Sequence, residues 1–151
     1  MVRSKKGFTL VEIMVAIAIL GILFVTAIPV YHTWQQRAYG SEAAIMLKQL
    51  IDAQIIYYLD NDKFYPDNDR IAIYHDGGME PNGAVAMVKE NLYIEIPQGH
   101  FIDYELIGDN INGTFQVIIS SQGNFDLFKG ASQVYATLDK RGKSEIFYAG
   151  E

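Results

Sequence analysis

Apolar residues are not spread evenly along this chain. From Phe8 to Tyr31 it reads FTLVEIMVAIAILGILFVTAIPVY, in which nineteen of twenty-four residues are apolar and Glu12 is the sole charge. The nineteen residues from Ile13 to Tyr31 carry no charge. At about 1.5 Å of rise per residue, a helix of that length nearly spans the ~30 Å hydrocarbon core of a bilayer. Arg3, Lys5 and Lys6 precede the run, and no positive charge follows it before Arg37. The positive-inside rule therefore predicts a single pass with the N-terminus in the cytoplasm.

The pattern then becomes amphipathic. Ala44, Leu47, Leu50, Ile51, Ile55 and Tyr58 recur at spacings of three and four, with Glu42, Lys48, Gln49 and Asp52 mainly between them. This predicts a helix with one apolar stripe, ending around Asp60 to Asp62 before the turn-like Phe64-Tyr65-Pro66-Asp67-Asn68-Asp69, with Gly40-Ser41 as a place to pause. In residues 70–91, Gly77-Gly78 and Pro81-Asn82-Gly83 break the pattern around a short predicted helix from Ala84 to Asn91. Beyond Tyr93 the period becomes that of strands. Phe101 to Ile107 and Thr114 to Ser120 flank Asn112-Gly113, a dipeptide suited to the positive φ angles of a hairpin turn. Val134 to Leu138 and Ser144 to Tyr148 form a second predicted hairpin across residues 139–143. The expected class is α+β: a long N-terminal helix on a small antiparallel sheet of three or four strands.

Composition narrows the function. With 151 residues, multidomain enzymes are excluded, and twelve Lys and Arg against eighteen Asp and Glu argue against general nucleic-acid binding. The chain has no cysteine, which excludes disulfides, thiolate metal sites and thiol catalysis. A secretory signal peptide has a shorter apolar run and a small-x-small cleavage site; here the run is long, bulky Tyr31, His32 and Trp34 follow it, and it carries a carboxylate.

The segment Lys5-Lys6-Gly7-Phe8-Thr9-Leu10-Val11-Glu12 resembles the processing site of type IV pilins and of the pseudopilins of type II secretion, a class III prepilin signal sequence. Gly21 and Pro29 also fit that family, and the resemblance runs from about Lys5 to Tyr39. It implies that a prepilin peptidase cuts between Gly7 and Phe8 and methylates Phe8, and that Phe8, Glu12, Gly21 and Pro29 serve assembly. The implied organisation is a cleaved leader over residues 1–7, a membrane and polymerisation helix over 8–31, its amphipathic continuation over 32–62 and a head domain over 63–151. Before assembly the subunit is expected in the inner membrane, N-terminus in. Afterwards it belongs to a homo-oligomeric helical filament at the cell surface, built by inner-membrane assembly machinery.

Elementary chemistry gives the motif sense. A cut ahead of the apolar run leaves the membrane helix on the mature chain, so processing arms a subunit instead of releasing it. A carboxylate in lipid is normally paired or functional, although Glu12 could also snorkel to the interface. Pro29 lacks an amide and crowds the carbonyl four residues back, so the helix is expected to bend or open near Thr26 to Pro29. The resemblance further implies a stretch from Gly21 to Pro29 that loses helical structure when subunits pack.

Other candidates are weaker. Asp60, Asp62, Asp67 and Asp69 offer oxygens for calcium, but Phe64 falls at a ligand spacing and the loop lacks the Gly and closing Glu of a calcium loop. Lys140, Arg141 and Lys143 read as a soluble hairpin tip. His32, His75 and His100 are scattered, and no nucleophile arrangement is seen, so neither enzyme nor cofactor is predicted. Asn112-Gly113-Thr114 is a formal glycosylation acceptor that its turn role explains equally. The row Phe24, Tyr31, Trp34, Tyr39, Tyr57 and Tyr58 is assigned to core and interface packing. The leading reading is a pilin subunit. The alternatives are a pseudopilin of a short periplasmic filament and a membrane-anchored binding module or enzyme.

Overall fold

The computed structural model describes residues 7–99, 101–123, 125–128 and 130–149. Arg3, Lys5, Lys6 and His100 lie outside them. The elements in chain order are α1 (Leu10–Asn61), β1 (Arg70–Ile73), β2 (Met79–Glu80), α2 (Ala84–Leu92), β3 (Ile102–Asp109), β4 (Thr114–Ser121), β5 (Gln133–Asp139) and β6 (Ser144–Ala149). The chain divides into two compact units, one ending at Trp34 and the other starting at Gln35.

In the first unit the helix is a single apolar segment, long enough to cross a membrane, and none of its most apolar window is buried. The backbone stays helical through Gly21 and Pro29, so the expected opening near Thr26 to Pro29 is absent from this chain. One proline in a helix interior costs about 3 kcal/mol, and the uninterrupted helix on both sides absorbs that cost. The nearby hydroxyls bond back to the helix: Thr26 Oγ1 donates to the Leu23 carbonyl at 2.9 Å and Thr33 Oγ1 to that of Pro29 at 3.1 Å. Polar side chains of an apolar helix are commonly satisfied in this way.

The second unit is an antiparallel six-stranded sheet in the order β2-β1-β3-β4-β5-β6, two strands more than the upper expectation, covered by residues 35–61 of α1. Alternation decides which face is buried. Ile102, Tyr104 and Leu106 of β3, Phe115, Val117 and Ile119 of β4, and Val134, Ala136 and Leu138 of β5 all point into the core. Opposite them on α1 sit Ala43, Met46, Leu47, Leu50, Ile51 and Gln54. Ala44, assigned to the stripe from sequence, is exposed; the stripe enters instead through small Gly40 and Ala43 before joining the expected Leu47, Leu50 and Ile51. Nor does α1 pause at Gly40-Ser41. A Cβ on Gly40 would lie 2.2 Å from the Leu127 carbonyl oxygen, so the glycine admits the loop backbone against the helix.

Two amide side chains fix the loop that follows α1. Asp62, with φ 53°, ends the helix, its amide bonding the Tyr58 carbonyl at 2.8 Å. Buried Gln54 accepts from the Tyr65 amide at 3.1 Å and donates through Nε2 to the Tyr65 carbonyl. Asn110 does the same for Phe64, accepting from its amide at 2.6 Å and donating to its carbonyl at 3.0 Å. Each side chain imitates a strand partner for an irregular segment. The β3–β4 turn holds four residues between the paired Asp109 and Thr114. Only Gly113 within it has positive φ, so Asn112-Gly113 supplies one such angle instead of two; strand β3 runs on to Asp109, two residues past its expected end, and Asp109 Oδ1 accepts from the Asn112 amide at 2.9 Å.

Candidate assembly segment

The residues singled out at the N-terminus meet at the start of α1. Thr9 is the N-cap. Its Oγ1 accepts from the Glu12 amide at 3.3 Å, while Glu12 Oε2 accepts from the Thr9 amide and from Thr9 Oγ1, each at 2.7 Å. This is a reciprocal capping box, satisfying donors that the first turn leaves without partners and setting a carboxylate at the positive end of the helix. The pattern Thr9-Leu10-Val11-Glu12 carries the signal for it in the sequence, and the sequence reading missed it.

Around this cap the segment is open. Phe8 is 84% exposed, and so are Leu10, Val11 and the apolar residues that follow. Among the described residues no atom lies within 4 Å of where a Cβ on Gly7 or Gly21 would stand, counting neither chain neighbours nor the helix's own nearby backbone. Gly7 and Phe8 are thus accessible, while Gly21 and Pro29 are separated from the Glu12 cap by turns of helix.

The aromatic row divides between the two units. Phe24, Tyr31 and Trp34 are exposed. Tyr39 stacks on Phe125 at 5.2 Å, Tyr57 meets Tyr65 at 5.6 Å, and Tyr58 meets Phe64 at 4.6 Å, which is the packing role assigned from sequence. The acidic loop is engaged with its own surroundings. Asp67 bonds Lys63 and Asn110, each at 2.8 Å, and these two partners hold its carboxyl below the usual carboxylate range. Asp69 accepts from the Arg70 amide at 2.8 Å. Among the described residues no three His, Cys, Asp or Glu side chains are grouped to hold a metal ion. His75 has a structural place, its amide and Nδ1 both on Asp103 Oδ1 at 2.7 and 2.9 Å.

Residues 2–28 match the family model described as the prokaryotic N-terminal methylation motif. The chain is 43% identical over 68 residues to a type IV major pilin protein PilE1 of Neisseria gonorrhoeae, covering 45% of this chain and 41% of that protein. It is 41% identical over 68 residues to a fimbrial protein of Neisseria meningitidis, covering 45% and 39%. To the type IV major pilin protein PilA of Myxococcus xanthus it is 42% identical over 60 residues, covering 40% and 27%. The matches span less than half the length of these relatives. No solved structure matches the chain. The resemblance read from Lys5 to Glu12 is borne out by the motif match and by the pilin relatives.

Proposed function

We propose that this chain, which carries the N-terminal methylation motif and resembles type IV major pilins, is a structural pilin subunit that polymerises through α1 into a surface filament. In this reading a prepilin peptidase cuts between Gly7 and Phe8 and methylates the new Phe8 amine. The anchored subunit, N-terminus in the cytoplasm, is then withdrawn from the membrane by pilus assembly machinery. The observation that carries the proposal is the pairing of a fully exposed apolar helix with one carboxylate near its start. Such a surface requires either lipid or copies of itself, and a bundle of identical helices supplies the second.

Glu12 gives the bundle a register. Processing creates a cation on Phe8, and in a staggered array the Phe8 amine of one subunit meets Glu12 of the next. At about 4 Å the attraction is roughly 4 kcal/mol for an effective dielectric of 20, less desolvation, so the pair aligns more than it stabilises. The capping box keeps the carboxylate hydrogen-bonded until the incoming amine arrives. Gly21 and Pro29 are the weak points at which a uniformly helical segment can open under the geometry of the filament.

The test has two readouts on the full chain expressed with its assembly machinery: intact mass of the membrane-extracted protein, and electron microscopy of sheared surface material probed for this chain. The expected results are a mature mass beginning at methylated Phe8, and labelled filaments. An intact Met1, a different start, or filaments devoid of the chain would overturn the reading.

A further inference from the structure

The face of the sheet turned away from residues 35–61 of α1 has a composition of its own. Register and alternation place Ile118 of β4, Tyr135 of β5 and Phe147 of β6 side by side on it, a row across three neighbouring strands. The rings of Tyr135 and Phe147 stack with centroids 5.0 Å apart and planes within 17° of parallel. Ile118 and Tyr135 are half-buried, and Phe147 is 39% exposed. Along the strands the row is flanked by Gln116 and Thr137 on one side and by Ser120 and Gln133 on the other. None of these four makes a side-chain hydrogen bond among the described residues. Two amides and two hydroxyls therefore stand open around an apolar centre.

Charge and size narrow what can cover this patch. The carboxylates at its border are already engaged: Asp103 accepts from the His75 amide at 2.7 Å, Glu105 pairs with Arg70, and Glu145 pairs with Lys143. Among the described residues no cation on the patch is left over for a phosphate, so nucleic acid and anionic lipid do not match it. The row spans two strand spacings of about 4.8 Å, and the flanking pairs lie two residues away at about 3.4 Å per residue, so the patch measures roughly 10 by 14 Å. That is far below the ~800 Å² that each partner buries in a stable protein interface. The patch suits a slender, uncharged ligand with apolar faces and hydrogen-bonding edges.

A pyranose ring meets that description. Equatorial hydroxyls point outward around the ring, and both ring faces then present C–H groups, whose partial positive charge favours the negative face of an aromatic side chain. Equatorial linkages also keep successive rings in one flat ribbon, a shape that can lie along a sheet. We propose that the outer face of β4, β5 and β6 binds a neutral polysaccharide of β-linked hexopyranose units, its rings against Tyr135 and Phe147 and its hydroxyls on Gln116, Ser120, Gln133 and Thr137. The inference goes beyond the pilin reading and does not depend on it.

The test uses the full chain extracted in a detergent whose headgroup is not a sugar. It is mixed with cellulose and with chitin particles, and the bound fraction is read after sedimentation. The expected result is retention on at least one of them, with release by the matching soluble oligosaccharide. Phe147→Ala and Tyr135→Ala should each lower the bound fraction several-fold, and Phe147→Trp should keep it. Tyr93→Ala, which removes a 90% exposed ring elsewhere, should leave it unchanged. Gln116→Ala and Thr137→Ala remove no internal hydrogen bond and should also weaken retention, which covers the case of a ring variant that fails to fold. Retention on neither particle would overturn the proposal. So would retention unchanged by both Phe147→Ala and Gln116→Ala, or equal retention on particles of an anionic polysaccharide. Sugar-insensitive dimers cross-linked through Gln116→Cys would show that a second copy covers the face, and would overturn it as well. Retention is read on the extracted chain, so it stands or falls separately from filament formation.

Discussion

Gln54→Leu isolates the physics that shapes the end of α1. Gln54 is fully buried, and its amide satisfies both the N–H and the C=O of Tyr65. Leucine has nearly the same volume and adds apolar surface, so a count of hydrophobic area alone predicts a more stable protein. Yet the partners lost are backbone groups that no substitution removes. Each buried backbone group left without a partner costs roughly 1–3 kcal/mol, so two of them cost about 2–6 kcal/mol, offset by about 1 kcal/mol of new apolar burial. The net loss of about 1–5 kcal/mol corresponds to about 4–20 °C in Tm for a domain of this size. The assay is thermal unfolding of a fragment beginning at Gln35, where the second unit starts and which is expected to unfold cooperatively. Gln49→Leu on the exposed side of the same helix serves as control, expected within about 0.5 kcal/mol of the parent. A Gln54→Leu fragment as stable as the parent would refute the claim that this side chain substitutes for a strand.

Glu12→Ala removes the capping carboxylate and the proposed partner of the Phe8 amine. It should fray the first turn of α1 while leaving membrane insertion intact, and filament counts should collapse; abundant normal filaments from this variant alone would exclude the register role. Gly40→Ala forces a methyl group toward the Leu127 carbonyl oxygen, 2.2 Å from the ideal Cβ position. It should lower stability by about 1–3 kcal/mol, read by denaturant titration of the same fragment. Tyr104 is buried, and burial first, then the Glu42 carboxylate, pushes its phenol above the ordinary value of 10.0. A raised folded pKa means stability that is complete below about pH 10 and is lost as pH rises further; alkaline unfolding should shift to higher pH in Tyr104→Phe.

The parts of the fold legible from sequence are those with a strong period. The two hairpins are legible because β3, β4 and β5 alternate inward apolar with outward residues, and β6 is an Ile-Phe-Tyr run rich in strand formers, around turn signals. Strand β1 was not, since Arg70-Ile-Ala-Ile73 is too short to display alternation and three of its four residues are buried. Two-residue β2 has no pattern at all. The stripe on α1 is legible through Leu47, Leu50, Ile51, Ile55 and Tyr58, whereas Gly40, Ala43 and Gln54 are buried members that hydrophobicity does not flag as core, and Ala44 stood in their place. At the N-terminus the charged and breaking residues stood out against the apolar run. The hydrogen bonding of Glu12 by Thr9 did not, because the capping pattern Thr9-Leu10-Val11-Glu12 lies inside an apolar run whose period-free hydrophobicity is that of a membrane span.

Strand β6 bears on how a preparation of this domain behaves. It is hydrogen-bonded on one side only, to β5, and Ile146, Phe147 and Tyr148 are all substantially exposed. It is therefore the rung of the ladder expected to exchange its amide protons first, well before global unfolding. When it lifts, the edge of β5 is uncovered, with Val134, Ala136 and Leu138 in alternation. Such an edge is a template for any passing strand, including the β6 of another molecule. At high concentration, strand-exchanged dimers would be the characteristic by-product, and Lys143 and Glu145 at the start of β6 are the charges that keep the exchange in check.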